Sequence, residues 1–106
     1  MSITMWIIIL FDLPMKTPEN RKNYRSYLSE IKNLGFNREQ FSVYSRQVET
    51  KDKCEALRSN VLRICKSTMG KTIILSLSDK QFTRTTFLSE GERQIKKTVS
   101  QQLSFF

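Results

Sequence analysis

The chain has 106 residues, with 18 Lys+Arg against 10 Asp+Glu and no histidine, a formal charge of +8. Without imidazole, Ser-His-Asp or Cys-His catalysis and zinc sites that need His ligands are excluded, so any chemistry rests on carboxylates, hydroxyls, thiols or a metal held by oxygens. A hydrophobic content of 39% with 3 Gly and 2 Pro fits one compact domain that folds without a disulfide, with a short tail.

Met5 to Phe11 is a continuous run of β-branched, aromatic and aliphatic residues closed by Asp12-Leu13-Pro14; it is predicted to be a central strand buried on both faces. The run is far too short to span a bilayer, and no positively charged stretch precedes it as a signal peptide requires. Thr17-Pro18-Glu19 supplies an N-cap hydroxyl, a first-position proline and a first-turn acid, so a helix is expected from about Pro18. Along it Tyr24, Tyr27, Leu28, Ile31 and Leu34 recur at helical spacing as the stripe that faces the sheet, and Gly35 suits the left-handed residue that ends it.

Phe41 to Val48 alternates, with Phe41 and Val43 on one face and Tyr44 and Arg46 on the other, and reads as a strand with Phe41 in the core. Phe36 to Gln40 is either a separate short strand or the bent beginning of the same one. Thr50-Lys51-Asp52 opens a second helix, with Cys54, Leu57, Val61, Ile64 and Cys65 on its apolar side and Met69-Gly70 as its stop. Its two cysteines lie about 16 Å apart along the axis, too far to bridge. They read as buried apolar filler in a reducing cytoplasm, and a cytoplasmic protein is expected.

Lys71 to Leu77 is the next strand, followed by a turn at Ser78-Asp79-Lys80 and by Gln81 to Leu88, a strand or an extended arm. The domain is placed at residues 1–88. Residues 89–106 are polar apart from Ile95, Val99, Leu103 and Phe105-Phe106, and form a tail that is either a helix docked on a partner or frayed. The element order predicts an α+β, ferredoxin-like (βαββαβ) fold, with both helices on one face of an antiparallel sheet. The other sheet face is left uncovered, so a homodimer through the sheets is expected.

Asp12 follows a buried strand directly and is held on rigid backbone. One carboxylate is too little for Mg²⁺, which wants about six oxygens, but waters, carbonyls and the Asp12 of a second subunit could complete the shell; the alternative is that Asp12 only caps the turn before Pro14. On the first helix Arg21, Arg25 and Lys32 fall within about 40° of one another, with Lys22 on their flank. Glu19 and Glu30 lie beyond the apolar stripe. Arg38 and Arg46 extend this basic supply, and Arg58, Arg63 and Lys66 add charge on the second helix. Such a surface suits phosphate binding by counterion release, or is a solvated charged face. The stretch from Phe36 to Tyr44 has aromatic residues like those of RNA-recognition strands without that domain's glycine and aromatic spacing. Tyr44 is core, dimer contact or nucleic-acid contact.

Trp6-Ile-Ile-Ile-Leu-Phe-Asp-Leu-Pro14, Gly35-Phe36 with Gln40-Phe-Ser-Val-Tyr-Ser45, and Leu77-Ser-Asp-Lys-Gln-Phe82 resemble, in order and spacing, the small CRISPR-associated protein Cas2, especially the type II form. The match covers about residues 5 to 88. It implies a ferredoxin-like homodimer in which the C-terminal strand of each subunit can add to its partner's sheet. It also implies a part in spacer acquisition for antiviral defence, where the dimer and the Cas1 integrase hold a short double-stranded DNA prespacer for insertion into the CRISPR array. Members have been described as metal-dependent endonucleases on RNA or DNA, and the matching metal position is Asp12, with Mg²⁺, or alternatively Mn²⁺, shared between two copies. Arg21 and Arg38 fall where the family often has functional arginines. Phe11 and Tyr44 are the adjoining candidates for the active site or interface, and Asn23 stands where a second helix arginine is often found.

Two readings follow. In one, the dimer is a DNA-holding scaffold whose basic residues track the duplex; in the other, it is primarily an endoribonuclease cutting single-stranded RNA, with Asp12 as its catalytic and metal-holding residue. The scaffold is favoured as the cellular role, because no His and no evident Lys or Glu base stands beside Asp12.

Overall fold

The computed structural model describes residues 4–89 and 92–94. The chain runs β1 (Met5–Asp12), α1 (Pro18–Asn33), β2 (Asn37–Gln40), β3 (Val43–Val48), α2 (Lys51–Lys66), β4 (Lys71–Ser78), α3 (Asp79–Thr83), β5 (Phe87–Ser89) and β6 (Glu92–Gln94). The first four strands form one antiparallel sheet in the order β2-β3-β1-β4, while β5 and β6 pair as a separate two-stranded ribbon. This is the ferredoxin-like arrangement expected from the element order.

Local chemistry sets the helix limits. The Thr17 hydroxyl accepts from the Asn20 amide at 2.9 Å, and the Asn20 side chain accepts in return from the Thr17 amide at 3.3 Å, so two donors at the head of α1 are satisfied reciprocally. Thr50 does the first half of this for α2, accepting from Lys53 at 3.1 Å. At the far end of α1 the chain turns through Gly35, whose φ of +89° only glycine adopts freely. The Leu34 carbonyl there receives a 2.6 Å hydrogen bond from Arg46 Nη1.

Strand alternation divides β1 between two apolar layers. Ile7, Ile9 and Phe11 face the helices and pack with Tyr24, Tyr27 and Ile31 of α1 and with Cys54, Leu57 and Val61 of α2. Trp6, Ile8 and Leu10 face the other way, against Val43, Leu77 and Phe82. Both cysteines are free thiols, Cys54 buried and Cys65 partly so. Among the described residues no helix is long and apolar enough to cross a membrane.

One open alternative is settled and two expectations change. Asn37–Gln40 is a separate short strand, β2, whose register with β3 shifts between Arg38 and Gln40. That irregularity puts Phe41 and Ser42 in the turn between β2 and β3, so Phe41 is 60% exposed rather than core. The second change concerns Gln81 to Leu88. It is neither one strand nor one arm, because Ser78 and Gln81 form a second reciprocal cap that starts α3, and the strand resumes only at Phe87. Of the tail, Ser89 and Glu92–Gln94 lie in the β5–β6 ribbon. Ile95, Val99, Leu103 and Phe105-Phe106 lie outside the described residues.

Candidate functional site at the end of strand β1

Asp12 is the last residue of β1, opposite Lys71 of β4, and its side chain is exposed. Strand parity gives it the same face as Trp6, Ile8 and Leu10, the sheet face turned away from α1 and α2. Its position is fixed from three sides. The amide of Phe11 donates to the Ser42 carbonyl at 3.2 Å, which staples the β2–β3 turn to the strand end. Gly70, at φ +108°, lies so close that an added Cβ would meet the Asp12 carbonyl oxygen at 2.7 Å. Beyond Pro14, Arg21 reaches back from α1, and its Nη1 donates to the carbonyls of Met15 and Lys16, both at 3.2 Å.

Phe11 and Tyr44 stand behind the carboxylate, not beside it. Both are buried in the helix-side core, with ring centroids 5.8 Å apart, and Phe11 also meets Tyr24 at 6.0 Å and Tyr27 at 5.1 Å. Of the three roles open to Tyr44, the fold gives it the core. Burial raises the Tyr24 hydroxyl above its ordinary value, while the nearby Arg38 and a hydrogen bond with Ser42 pull it the other way.

The basic residues separate into two kinds. Lys22, Arg25 and Lys32 are exposed on α1 with Arg21, and none of the four forms an ion pair with another described residue. Lys22, Arg25 and Lys32 face solvent, while Arg21, also exposed, spends one nitrogen on the Met15 and Lys16 carbonyls. Arg46 is instead half-buried and tied to the end of α1. Arg38 is exposed, with its guanidinium carbon 5.6 Å from the Phe41 ring centroid, and Arg58 of α2 donates to Ser76 at 3.2 Å.

Among the described residues no three His, Cys, Asp or Glu side chains come together as a metal-holding group. The donors one chain offers at the strand end, a single carboxylate and neighbouring carbonyls, fall short of the about six oxygens Mg²⁺ wants. Among the described residues Asp12 stands as a lone carboxylate there, so waters or a carboxylate of a second copy would have to complete the shell. Sequence reasoning misses Phe41 as a surface aromatic and Gly70 as the support of Asp12. The Met69-Gly70 pair carries a signal for the second, but in the letters alone it marks only a helix stop.

A family model described as CRISPR associated protein Cas2 matches residues 5–85. Curated relatives include a protein of Parvibaculum lavamentivorans, 31% identical over 102 residues, covering 96% of this chain and 100% of the relative. A protein of Streptococcus mutans is 35% identical over 89 residues, covering 84% of this chain and 80% of its own. One of Ligilactobacillus salivarius is 36% identical over 84 residues, covering 79% and 82%. All three relatives are named CRISPR-associated endoribonuclease Cas2.

Proposed function

The chain belongs to the CRISPR-associated protein Cas2 family, and from that premise we propose that it serves spacer acquisition as a dimer that holds double-stranded DNA for the Cas1 integrase. The observation that carries this reading is the exposed row of Arg21, Lys22, Arg25 and Lys32 on α1, free of ion pairs among the described residues. Cations left unpaired on a rigid helix are available to phosphates, and each phosphate neutralised releases counterions. The sheet supports the dimer. On its outer face Ile73 is 58% and Leu75 42% exposed, beside Leu10 and Val43, and a second copy laid there would remove this apolar surface from water. Two copies double the formal charge of +8.

The same dimer supports a second reading, an endonuclease, which the names of the relatives favour. Because Asp12 shares the face of Trp6, Ile8 and Leu10, a copy covering that face brings its own Asp12 to the same side. Paired in this way, the carboxylates could hold Mg²⁺ or Mn²⁺, which would supply an activated water and neutralise phosphate charge. Arg38, with Arg21 at the neighbouring loop, would offset charge on the phosphodiester, whether of single-stranded RNA or of DNA.

One comparison separates the two: purified wild type and Asp12→Ala, each assayed for integration with the cognate integrase and for Mg²⁺-dependent cleavage of single-stranded RNA. The scaffold expects the variant to keep integration and lose cleavage. Lost integration by a folded Asp12→Ala protein overturns it, and a light-scattering mass of one chain overturns the dimer and the shared metal together.

A further inference from the structure

We propose that Phe41 and Arg38 form a stacking site for one unpaired nucleotide beside the strand end that carries Asp12. The proposal rests on the nucleic-acid reading above and gives it a ligand class that the α1 ridge does not: a single strand, or a splayed end of a duplex.

The turn between β2 and β3 holds a large apolar ring in water, 60% exposed. That ring is not loose. It stacks on Tyr24 at 6.2 Å and 21°, and buried Tyr24 in turn meets Phe11 at 6.0 Å, so the exposed ring is continuous with the core. The Ser42 carbonyl, one residue on, is bonded to the Phe11 amide, which keeps the turn from swinging away from β1. Phe41 lies over α1 rather than on the sheet's outer face, so a second copy packed on that face would leave it open.

Arg38 supplies the other half of nucleotide recognition. Its guanidinium sits 5.6 Å from the Phe41 centroid, over the ring's negative face, and a base that takes its place on the exposed ring would leave the cation beside that nucleotide's phosphate. Aromatic rings take bases without regard to sequence, because every base has a π-face. In a continuous duplex those faces are already stacked on one another, so the ring can engage only unpaired bases or a frayed end.

The test uses the full-length protein with a fluorescein-labelled 15-nucleotide single strand and a blunt duplex of equal length. Phe41→Leu is expected to weaken single-strand binding about tenfold and to leave duplex binding within twofold, while Phe41→Tyr keeps wild-type affinity for both. Phe41→Trp is expected to lose fluorescence on adding the single strand but not the duplex, with wild type, whose one tryptophan is Trp6, as the control. Unchanged single-strand binding by Phe41→Leu, or equal loss of both ligands, overturns the site while the duplex reading stands. Wild type that binds neither nucleic acid overturns both readings. Intact nucleic-acid binding with lost integrase capture would make Phe41 a protein contact and overturn the proposal.

Discussion

Gly70 and Asp12 touch backbone to backbone: an added Cβ on Gly70 would lie 2.7 Å from the Asp12 carbonyl oxygen and 3.0 Å from the Leu13 Cα. Neither atom belongs to a flexible side chain that could yield, and the φ of +108° is itself costly for any other residue. The loop after α2 is therefore a wall against which the end of β1 is set. Gly70→Ala should cost about 3 kcal/mol in urea unfolding, and on the nuclease reading what folds should cleave less well. A variant as stable as wild type would mean that the wall gives way.

Arg46 and Arg25 should part company. The Arg46 guanidinium satisfies the Leu34 carbonyl at the end of α1, a charged hydrogen bond worth about 1.5–3 kcal/mol. Arg46→Met is thus expected to lower the unfolding midpoint, whereas Arg25→Ala leaves it unchanged and weakens DNA binding. The reverse pattern, seen in paired melts and binding curves, would show that the assignment of structural and ligand-facing arginines is inverted.

The slope of log affinity against log salt measures the α1 ridge directly. If the duplex lies along the ridge, replacing both Arg25 and Lys32 by Ala should remove two phosphate contacts and shallow the slope for duplex DNA by about 2. An unaltered slope would place the duplex on another surface.

Trp6 stacks on Phe82 with ring centroids 3.8 Å apart and 6° between planes, and its indole Nε1 donates to Asp79 Oδ1 at 2.9 Å. As the one tryptophan of the chain, it reports on the docking of α3. Phe82→Leu should red-shift its emission and cost about 1 kcal/mol, and Asp79→Ala should do likewise, while Asp79→Asn, which retains an acceptor oxygen, has the smaller effect. Identical spectra for all three variants would mean that α3 does not hold the indole.

Alkaline stability carries a signature of the helix-side core. Burial pushes the Tyr27 hydroxyl far above the usual tyrosine value, with Thr72 hydrogen bonding opposing and Cys65 adding to the rise; Tyr24 is raised too. In the unfolded chain these phenols ionise near about pH 10, while the folded chain keeps its protons. The stabilisation is complete below that pH and is lost as pH climbs toward the folded values. Urea midpoints should therefore fall above about pH 10, and Tyr27→Phe should flatten the decline. Parallel declines would remove Tyr27 as its cause.

The helices and the main sheet were legible in the sequence because their signals are local. Thr17-Pro18, Gly35 and Thr50 mark helix ends through hydrogen bonds made within a few residues. Asp12 was legible for a similar reason, since a carboxylate set directly after seven apolar residues and before Leu-Pro falls where a buried strand runs out into solvent. Phe41 was not. Its alternation with Val43 is genuine in the letters, but the register shift at Arg38–Gln40 is a property of two strands together, and one strand's pattern does not contain it. The division of the arginines was hidden likewise, because Arg46 meets its acceptor across twelve residues of chain. The reciprocal cap at Ser78 and Gln81 was written locally and was masked by the β-like Thr and Phe residues that follow.

Since β1 supplies one side chain in turn to each of two apolar layers, the strand tolerates no single-residue insertion or deletion. One residue more or fewer would exchange the layers wholesale and carry the terminal carboxylate to the helical side of the sheet. Length variation among functional homologues should accordingly accumulate in the turns and beyond β4, and any change within β1 should come in pairs.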